Sequence, residues 1–200
     1  EWNDGNTDNP RVITVTKDES YTAVFVEKTM IDGHEYVDLG LPSGLKWATC
    51  NVGVEKPEDY GDYFAWGEVE PKATYNWSTY KYCAGSSSTM TKYCTQSSSG
   101  NNGFTDKKIV LDPEDDAAHV NWGGSWRMPT KAEQDELRNN CTWTWTTQNG
   151  VNGYKVTGPN GNSIFLPAAG YVLEGALYYA GSYGYYWSSS LDTSGPDNAC

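Results

Sequence analysis

The chain has 200 residues, 26 of them acidic and 14 basic, which gives a formal net charge of −12. This length suits one full domain with an appendage and is too short for two large domains. The basic residues are scattered, with no block longer than two, and no apolar run approaches the ~18 residues of a membrane span. Both a nucleic-acid partner and a membrane span in this chain are therefore excluded.

Aromatic residues and glycine dominate the composition, with 9 Trp, 15 Tyr and 21 Gly, while hydrophobic residues make up only 38%. Aromatic and β-branched residues favour half-buried strands, and Gly and Asn favour turns. This composition is typical of an extracellular, mostly β domain in which the rings supply much of the buried area.

The N-terminal part of the sequence predicts short strands. Residues 11–28 contain two alternating runs around residues 17–20, which predicts a β-hairpin, and residues 29–33 read as a linker. Residues 35–53 predict two short strands around a turn at residues 41–44, and residues 60–68 predict another short aromatic strand.

Residues 71–110 are poor in apolar side chains and predict a long polar insertion. Within it, Cys83 and Cys94 each follow a Lys-Tyr pair, which suggests a hairpin-like loop closed by a disulfide in an oxidising compartment. Cys50 and Cys141 are a second candidate pair, and Cys200 leaves the count odd. Because no C-x2-C pair occurs and neither histidine is near a cysteine, we expect no metal site and no cofactor.

Two helices are predicted. In the first, over residues 113–121, Asp112 is the expected cap, and the acidic pair Asp115 and Asp116 is expected to favour the helix dipole and solubility. The second starts at Ala132 or Glu133, after a capping box that begins at Thr130. Leu137 and Cys141 then share one face of this helix.

The C-terminal part predicts antiparallel strands, including a hairpin that turns at residues 159–161 and a last strand in the YYWSSS segment. The fold class is therefore α+β. In the last strand we expect Tyr185 and Trp187 to face the interior, because alternate residues share a face. Further core rings are Trp47, Trp66 and Trp126.

Other rings lie beside glycine-rich or polar segments and are candidates for ligand binding. The alternative is that they pack onto the domain as part of its loops. The five candidates are Tyr178, Tyr179, Tyr183, Trp77 and Tyr80.

Five ordered blocks resemble the Fibrobacter succinogenes major paralogous domain: EYVDLGLPSGLKWATCNVG, YGDYFAWGE, WRMPTKAEQDELRNNCTWTWT, IFLPAAGY and GSYGYYWSSS. The resemblance implies a C-type lectin-like fold over residues 34–200. Residues 1–28 resemble the end of a Listeria–Bacteroides repeat, a β-grasp-like module of bacterial surface proteins. Domains of the first family continue past the WSSS strand, so here the usual last strand is expected to be missing or replaced by another segment.

The resemblance implies a non-enzymatic binding or adhesion domain of a surface or secreted protein of a gut bacterium. Its partner would be a glycan or a host or microbial protein, and neighbouring surface repeats would belong to a longer parent protein. Calcium is not expected, because residues 195–198 lack the first ligand of the lectin calcium motif and read as a turn.

Two alternatives remain open. The WRMPTKAEQDEL block also resembles formylglycine-generating enzymes, whose chemistry needs reactive cysteines in the C-terminal half. In this chain, Cys141 and Cys200 would have to fill that role. The other alternative is a structural spacer in a long adhesin, which would have no ligand.

Overall fold

The computed structural model describes residues 12–14, 20, 22 and 28–192. Most of the predicted N-terminal hairpin, the predicted turn at residues 195–198 and Cys200 lie outside the described residues.

The first sheet has three antiparallel strands, β1 (Met30–Ile31), β2 (His34–Asp38) and β3 (Lys46–Ala48), in the order β1-β2-β3. The two strands predicted around residues 41–44 are thus confirmed as β2 and β3. Met30 and Ile31, which we predicted to lie in a linker, pair with β2 through a tight turn at Asp32 and Gly33. Both turn residues have positive φ, as this kind of hairpin requires.

Residues 49–110 run mostly as turns and coil, with one short 3₁₀ helix, Asn101–Gly103. The predicted aromatic strand at residues 60–68 is wrong. Gly61 and Gly67 both have φ of +77°, and this left-handed backbone interrupts an extended strand at each end of the aromatic run.

The first predicted helix is divided into two parts. A 3₁₀ helix, Pro113–Asp115, is followed by α1 (Ala117–Trp122), and Asp116 between them has an extended backbone. Asp116 caps α1 by accepting a hydrogen bond from the His119 backbone N–H at 3.0 Å. The cap of the α-helix is therefore Asp116 rather than Asp112.

The second helix, α2 (Lys131–Asn140), starts one residue before the predicted position. Its capping box is confirmed, because the Thr130 side chain accepts from the Glu133 N–H and the Glu133 carboxylate accepts from the Thr130 N–H. Leu137 is buried and Cys141 packs against the same core cluster, as the predicted common face requires.

The second sheet has the antiparallel order β4-β5-β6, formed by β4 (Thr142–Gln148), β5 (Val151–Thr157) and β6 (Ser163–Pro167). The predicted hairpin with its turn at residues 159–161 joins β5 to β6. A separate hairpin pairs β7 (Tyr171–Leu173) with β8 (Ala176–Tyr178). Helices together with antiparallel sheets confirm the α+β class.

Two clusters of buried residues form the core. The first joins β2, α2 and the second sheet and contains Leu39, Leu41, Leu137, Val156 and Ile164. The second contains Trp66, Tyr82, Tyr93, Leu111 and Leu191. Tyr82 and Tyr93 come from the segment predicted as a polar insertion, so this segment supplies part of the core.

The predicted inward face of the YYWSSS segment is wrong. Tyr185 is 56% and Trp187 44% exposed, whereas Ser188 is fully buried and Tyr186 is half-buried. The Tyr186 hydroxyl donates to the Pro167 carbonyl at 2.8 Å. This bond holds Tyr186, rather than Tyr185, on the inward side of the segment. The segment also forms only isolated bridges at its ends, not a regular strand.

The other three predicted core tryptophans pack inward. Trp66 and Trp126 are buried, and Trp47 is half-buried against the first cluster. The Trp66 indole N–H donates to the Ser188 carbonyl at 2.8 Å, so this ring holds the C-terminal segment onto the second cluster.

Candidate functional site

Five tyrosine rings meet on the surface around the β7–β8 hairpin. We call them the tyrosine cluster: Tyr171, Tyr178, Tyr179, Tyr183 and Tyr185. The register of the hairpin places Tyr171 directly opposite Tyr178, and their rings stack with centroids 5.6 Å apart. Three of the predicted ligand-binding residues, Tyr178, Tyr179 and Tyr183, therefore lie together in this cluster.

A tight turn after β8 brings the remaining rings to the hairpin. The N–H of Tyr183 donates to the Tyr179 carbonyl at 3.0 Å, and the two rings meet edge to face with centroids 5.6 Å apart. The chain then passes Gly170, whose N–H donates to the Tyr183 carbonyl. A Cβ at Gly170 would lie 2.0 Å from the Tyr178 carbonyl oxygen, so this close approach requires glycine.

The tyrosine cluster is exposed, aromatic and uncharged. Four of its side chains, all except Tyr171, are between 43% and 58% exposed. Within the described residues, none of the five hydroxyls forms a hydrogen bond with the protein. The nearby Glu174 in the β7–β8 turn is already engaged, because it accepts from the Asn76 side chain at 2.9 Å. The cluster thus offers ring faces and free hydroxyls to a ligand.

Trp77 and Tyr80, the other two predicted ligand-binding residues, belong to a different group of rings. They contact each other at 5.7 Å, and Tyr80 continues to Tyr82 at 5.9 Å. The Tyr80 hydroxyl donates to the Trp66 carbonyl, and burial raises the pKa of Tyr80. Among the described rings, neither Trp77 nor Tyr80 contacts the tyrosine cluster, so packing onto the core explains Tyr80.

The prediction omitted Tyr171 and assigned Tyr185 to the core. Tyr171 ends the IFLPAAGY block and has no neighbouring aromatic residue in the sequence, so only the β7–β8 pairing reveals its role. The Tyr185 ring contacts the Tyr171 ring edge to face at 5.1 Å. Reversing the alternation of residues 185–188 would have placed Tyr185 with the exposed rings.

Asp115 is the centre of a second polar site, which is buried. Its carboxylate accepts hydrogen bonds from the hydroxyls of Tyr82 and Tyr93, the latter at 2.6 Å, and pairs with Lys92. Burial acts to raise the pKa of Asp115, but the hydrogen bonds from Lys92, Tyr82 and Tyr93 outweigh it and lower this pKa to about 2.

The expectation that the acidic pair serves the helix dipole and solubility is therefore wrong for Asp115. Its side chain is only 2% exposed and ties the 71–110 segment to the 3₁₀ helix. Asp116 is also buried, and it accepts from the Met128 N–H as well as capping α1. Both carboxylates are fully engaged, which assigns them structural roles.

The four described cysteines, Cys50, Cys83, Cys94 and Cys141, have free thiols in the structure. The predicted Cys83–Cys94 bridge is not formed. Cys83 pairs with Met90 in an antiparallel bridge, so Cys94 does not lie opposite it, and the two sulfurs point to different carbonyls. Burial raises the pKa of the Cys50 and Cys141 thiols, which disfavours the reactive thiolate.

Within the part of the chain that the structure describes, no three His, Cys, Asp or Glu residues are grouped as metal ligands would be. The expectation from the sequence that there is no calcium site predicts that calcium leaves the melting temperature of the protein unchanged. The measurement is thermal unfolding with excess calcium and with a chelator. A clear rise with calcium would contradict this prediction, since a ligand that binds only the native state stabilises it.

No helix among residues 28–192 is long and apolar enough to cross a membrane. Comparisons with protein-family models, with curated proteins and with solved structures gave no match. The resemblance to the Fibrobacter succinogenes major paralogous domain and to the Listeria–Bacteroides repeat therefore stays a prediction.

Proposed function

We propose that residues 34–200 form a non-enzymatic domain with a C-type lectin-like fold, and that the tyrosine cluster binds a glycan. The observation that carries this proposal is the convergence of five tyrosines from three segments onto one exposed, uncharged surface. The extracellular type of composition supports a location on the surface of a bacterium or in its secretions.

The chemistry of the tyrosine cluster suits a neutral sugar. The apolar C–H face of a sugar ring can stack on an exposed aromatic face, and free hydroxyls can exchange hydrogen bonds with the sugar hydroxyls. The five tyrosine side chains carry no charge, so the ring surface itself offers no ion-pair partner to a charged peptide. This favours a glycan over a protein partner.

The enzymatic alternative has less support. An oxidase of the formylglycine-generating type needs an activated thiolate, yet burial raises the pKa of Cys141 and so favours its neutral form. Cys200 lies outside the described residues. The spacer alternative predicts no ligand, which the following binding experiment addresses.

The proposal is tested on an array of neutral oligosaccharides. We expect the wild-type protein to bind a subset of them, and Tyr179→Ala and Tyr183→Ala each to weaken that binding about tenfold, as loss of a contact ring at a binding site does. Because both side chains are more than half exposed, the variants should keep the wild-type melting temperature.

Tyr154→Ala is the matched control, since Tyr154 is a similarly exposed tyrosine outside the cluster. It should bind as the wild type does. Binding to proteins in a pull-down but to no glycan, lost in the same two variants, would assign the tyrosine cluster to protein recognition. Binding that survives both substitutions would contradict the proposed site.

A further inference from the structure

Four rings of the tyrosine cluster form a closed circuit in which each ring contacts the next. The centroid of the Tyr179 ring is 5.8 Å from that of Tyr171 and 5.6 Å from that of Tyr183. Tyr185 closes the circuit, because its centroid is 6.5 Å from that of Tyr183 and 5.1 Å from that of Tyr171. We call these four residues the tyrosine circuit; Tyr178 lies beside it, stacked on Tyr171.

Neighbouring rings of the tyrosine circuit are steeply inclined to each other. The plane of Tyr185 is at 89° to that of Tyr171, and the plane of Tyr183 is at 89° to that of Tyr179. The other two neighbouring pairs are inclined by 46°. A flat ligand can stack on only one of these rings at a time, whereas a compact, rounded group can contact several of them. The circuit therefore suits a small rounded group.

The size of the tyrosine circuit suits a cation. The face of an aromatic ring is the negative part of its quadrupole and attracts a cation within ~6 Å of the ring centroid. Because no side of the circuit exceeds 6.5 Å, the midpoint between two opposite centroids lies within ~6 Å of all four. Tyr179, Tyr183 and Tyr185 are between 55% and 58% exposed, so a ligand can reach these rings from solvent.

The chemistry of the ring faces favours a cation without N–H groups. The ammonium group of a lysine or the guanidinium group of an arginine brings several N–H donors, which need acceptors when they leave water. Ring faces supply no such acceptors. A quaternary ammonium group has methyl groups in place of N–H, so it loses no hydrogen bond when it contacts the rings, and aromatic sites of this kind recognise it.

The charge of the surrounding segment also favours a cation. Residues 167–191, which supply the whole cluster, contain one acidic residue, Glu174, and no Lys, Arg or His. The Glu174 carboxylate keeps its charge although it accepts from Asn76, since an amide is neutral. Along β7 it lies about 10 Å from Tyr171, at ~3.3 Å per residue. Charges act over about this distance at ~0.1 M salt.

Tyr179 has a backbone conformation that favours glycine or asparagine. Its φ is +58°, which is uncommon for a bulky residue. The N–H groups of Ser182 and Tyr183 both donate to the Tyr179 carbonyl, so the turn holds this conformation. Strained residues of this kind are concentrated at ligand-binding sites. A tyrosine here places a ring in the circuit despite the strain, which indicates that the ring has a role of its own.

We propose that the tyrosine circuit binds a quaternary ammonium group, such as the trimethylammonium group of choline. This inference goes beyond glycan binding, because it depends on the ring faces and not on the hydroxyls. The quaternary ammonium is the chemistry shared by several sources, which are a free small molecule, a lipid headgroup and a substituent of a larger polar molecule.

The test titrates the full chain with choline chloride and follows the ring signals of the tyrosines by nuclear magnetic resonance. The control ligand is neohexyl alcohol, which has a neutral tert-butyl group in place of the trimethylammonium group. We expect saturable shifts in the tyrosine circuit with choline and about tenfold weaker binding of the alcohol, the size of a cation–π contribution. Equal binding of the two would overturn the proposal, because shape and apolarity alone would then explain it.

Substitutions at Tyr183 separate the ring face from its bulk. Tyr183→Leu keeps an apolar side chain without a ring and should bind choline about tenfold more weakly. Tyr183→Phe restores the ring face without the hydroxyl and should recover most of the lost binding. Tyr154→Leu is the control at an exposed tyrosine outside the cluster and should bind as the wild type does. Wild-type binding by Tyr183→Leu would contradict the proposed site.

Tyr179→Gly separates ligand binding from stability. Glycine adopts a left-handed backbone without strain, so we expect an unchanged or higher melting temperature. Choline should nevertheless bind about tenfold more weakly, because one ring of the circuit is lost. A large fall in melting temperature would assign the Tyr179 ring to the stability of the fold and overturn its role in the ammonium site.

The two proposals for this surface fail separately. Choline binding without binding of any neutral oligosaccharide would support the ammonium site and contradict the glycan proposal. Oligosaccharide binding with no shifts from choline would contradict the ammonium site alone.

Two further measurements identify the source of the ammonium group. Co-sedimentation of the protein with phosphatidylcholine vesicles, reversed by free choline, would support a lipid headgroup. Binding of phosphocholine without binding of the vesicles would support a small molecule or a substituent of a larger polar molecule. Either result supports the ammonium site.

Discussion

Replacing Asp115 with alanine is expected to lower the free energy of unfolding by about 3–5 kcal/mol, the usual result of breaking a buried charged pair. The substitution removes the acceptor for the hydroxyls of Tyr82 and Tyr93 and one partner of Lys92. All three side chains belong to the segment predicted as a polar insertion, so its attachment to the core should fail first. Urea unfolding followed by tryptophan fluorescence gives the measurement.

Glu114→Ala is the control for this prediction, because Glu114 is the exposed neighbour of Asp115 in the same 3₁₀ helix. Its effect should stay within about 0.5 kcal/mol, as for other surface substitutions. If Asp115→Ala is no more destabilising than Glu114→Ala, the buried network does not hold the segment.

The same carboxylate predicts a loss of stability in acid. Because the pKa of Asp115 is about 2 in the folded protein, against an ordinary value of 3.8, its contribution is fully present above pH 3.8. It is lost as the pH falls from 3.8 through 2, and it amounts to about 2 kcal/mol. In Asp115→Ala the free energy of unfolding should depend less steeply on pH over this range.

The second large effect concerns Tyr186. Tyr186→Ala is expected to cost about 3 kcal/mol, since the half-buried ring loses its packing and its hydroxyl no longer donates to the Pro167 carbonyl. Burial raises the pKa of this hydroxyl to about 12. Trp187→Ala should cost only about 1 kcal/mol, because nearly half of that side chain is in solvent. Its indole N–H donates to the Phe64 carbonyl, which accounts for the remaining cost.

Urea unfolding of both variants gives the comparison. A larger loss for Trp187→Ala than for Tyr186→Ala would restore the face assignment that the sequence alone suggested.

The sequence correctly predicted those elements whose structure depends only on residues close to one another in the chain. Thr130 and Glu133 lie three residues apart and make a capping box wherever a helix follows them, and the turn at residues 159–161 joins two alternating runs. Neither element depends on a distant partner. Helix α2 and the β5–β6 hairpin were therefore predictable from sequence.

Elements that distant partners decide were not predictable. The phase of residues 185–188 depends on the Pro167 carbonyl, which accepts from Tyr186, and on Trp66, which donates to Ser188. Likewise, the sequence shows Tyr82 and Tyr93 among polar neighbours, and only their contact with Asp115 makes them part of the core.

The tyrosine cluster likewise contains some residues whose position could be predicted from nearby sequence and others whose position could not. Tyr178, Tyr179 and Tyr183 flank one glycine-rich turn, so their proximity could be predicted from the sequence. Tyr171 and Tyr185 join them through the β7–β8 register and the bridge between Gly170 and Gly184, which no local pattern indicates.

The most direct test of the proposed function is a nuclear magnetic resonance titration of protein labelled with ¹³C in its tyrosine rings. The titrant is the neutral oligosaccharide that binds best on the array. Glycan binding by the tyrosine cluster predicts saturable shifts of the five ring signals of the cluster, while those of the buried Tyr82 and Tyr93 stay unchanged. Saturable shifts confined to tyrosines outside the cluster, or no shifts with any neutral oligosaccharide of the array, would contradict it.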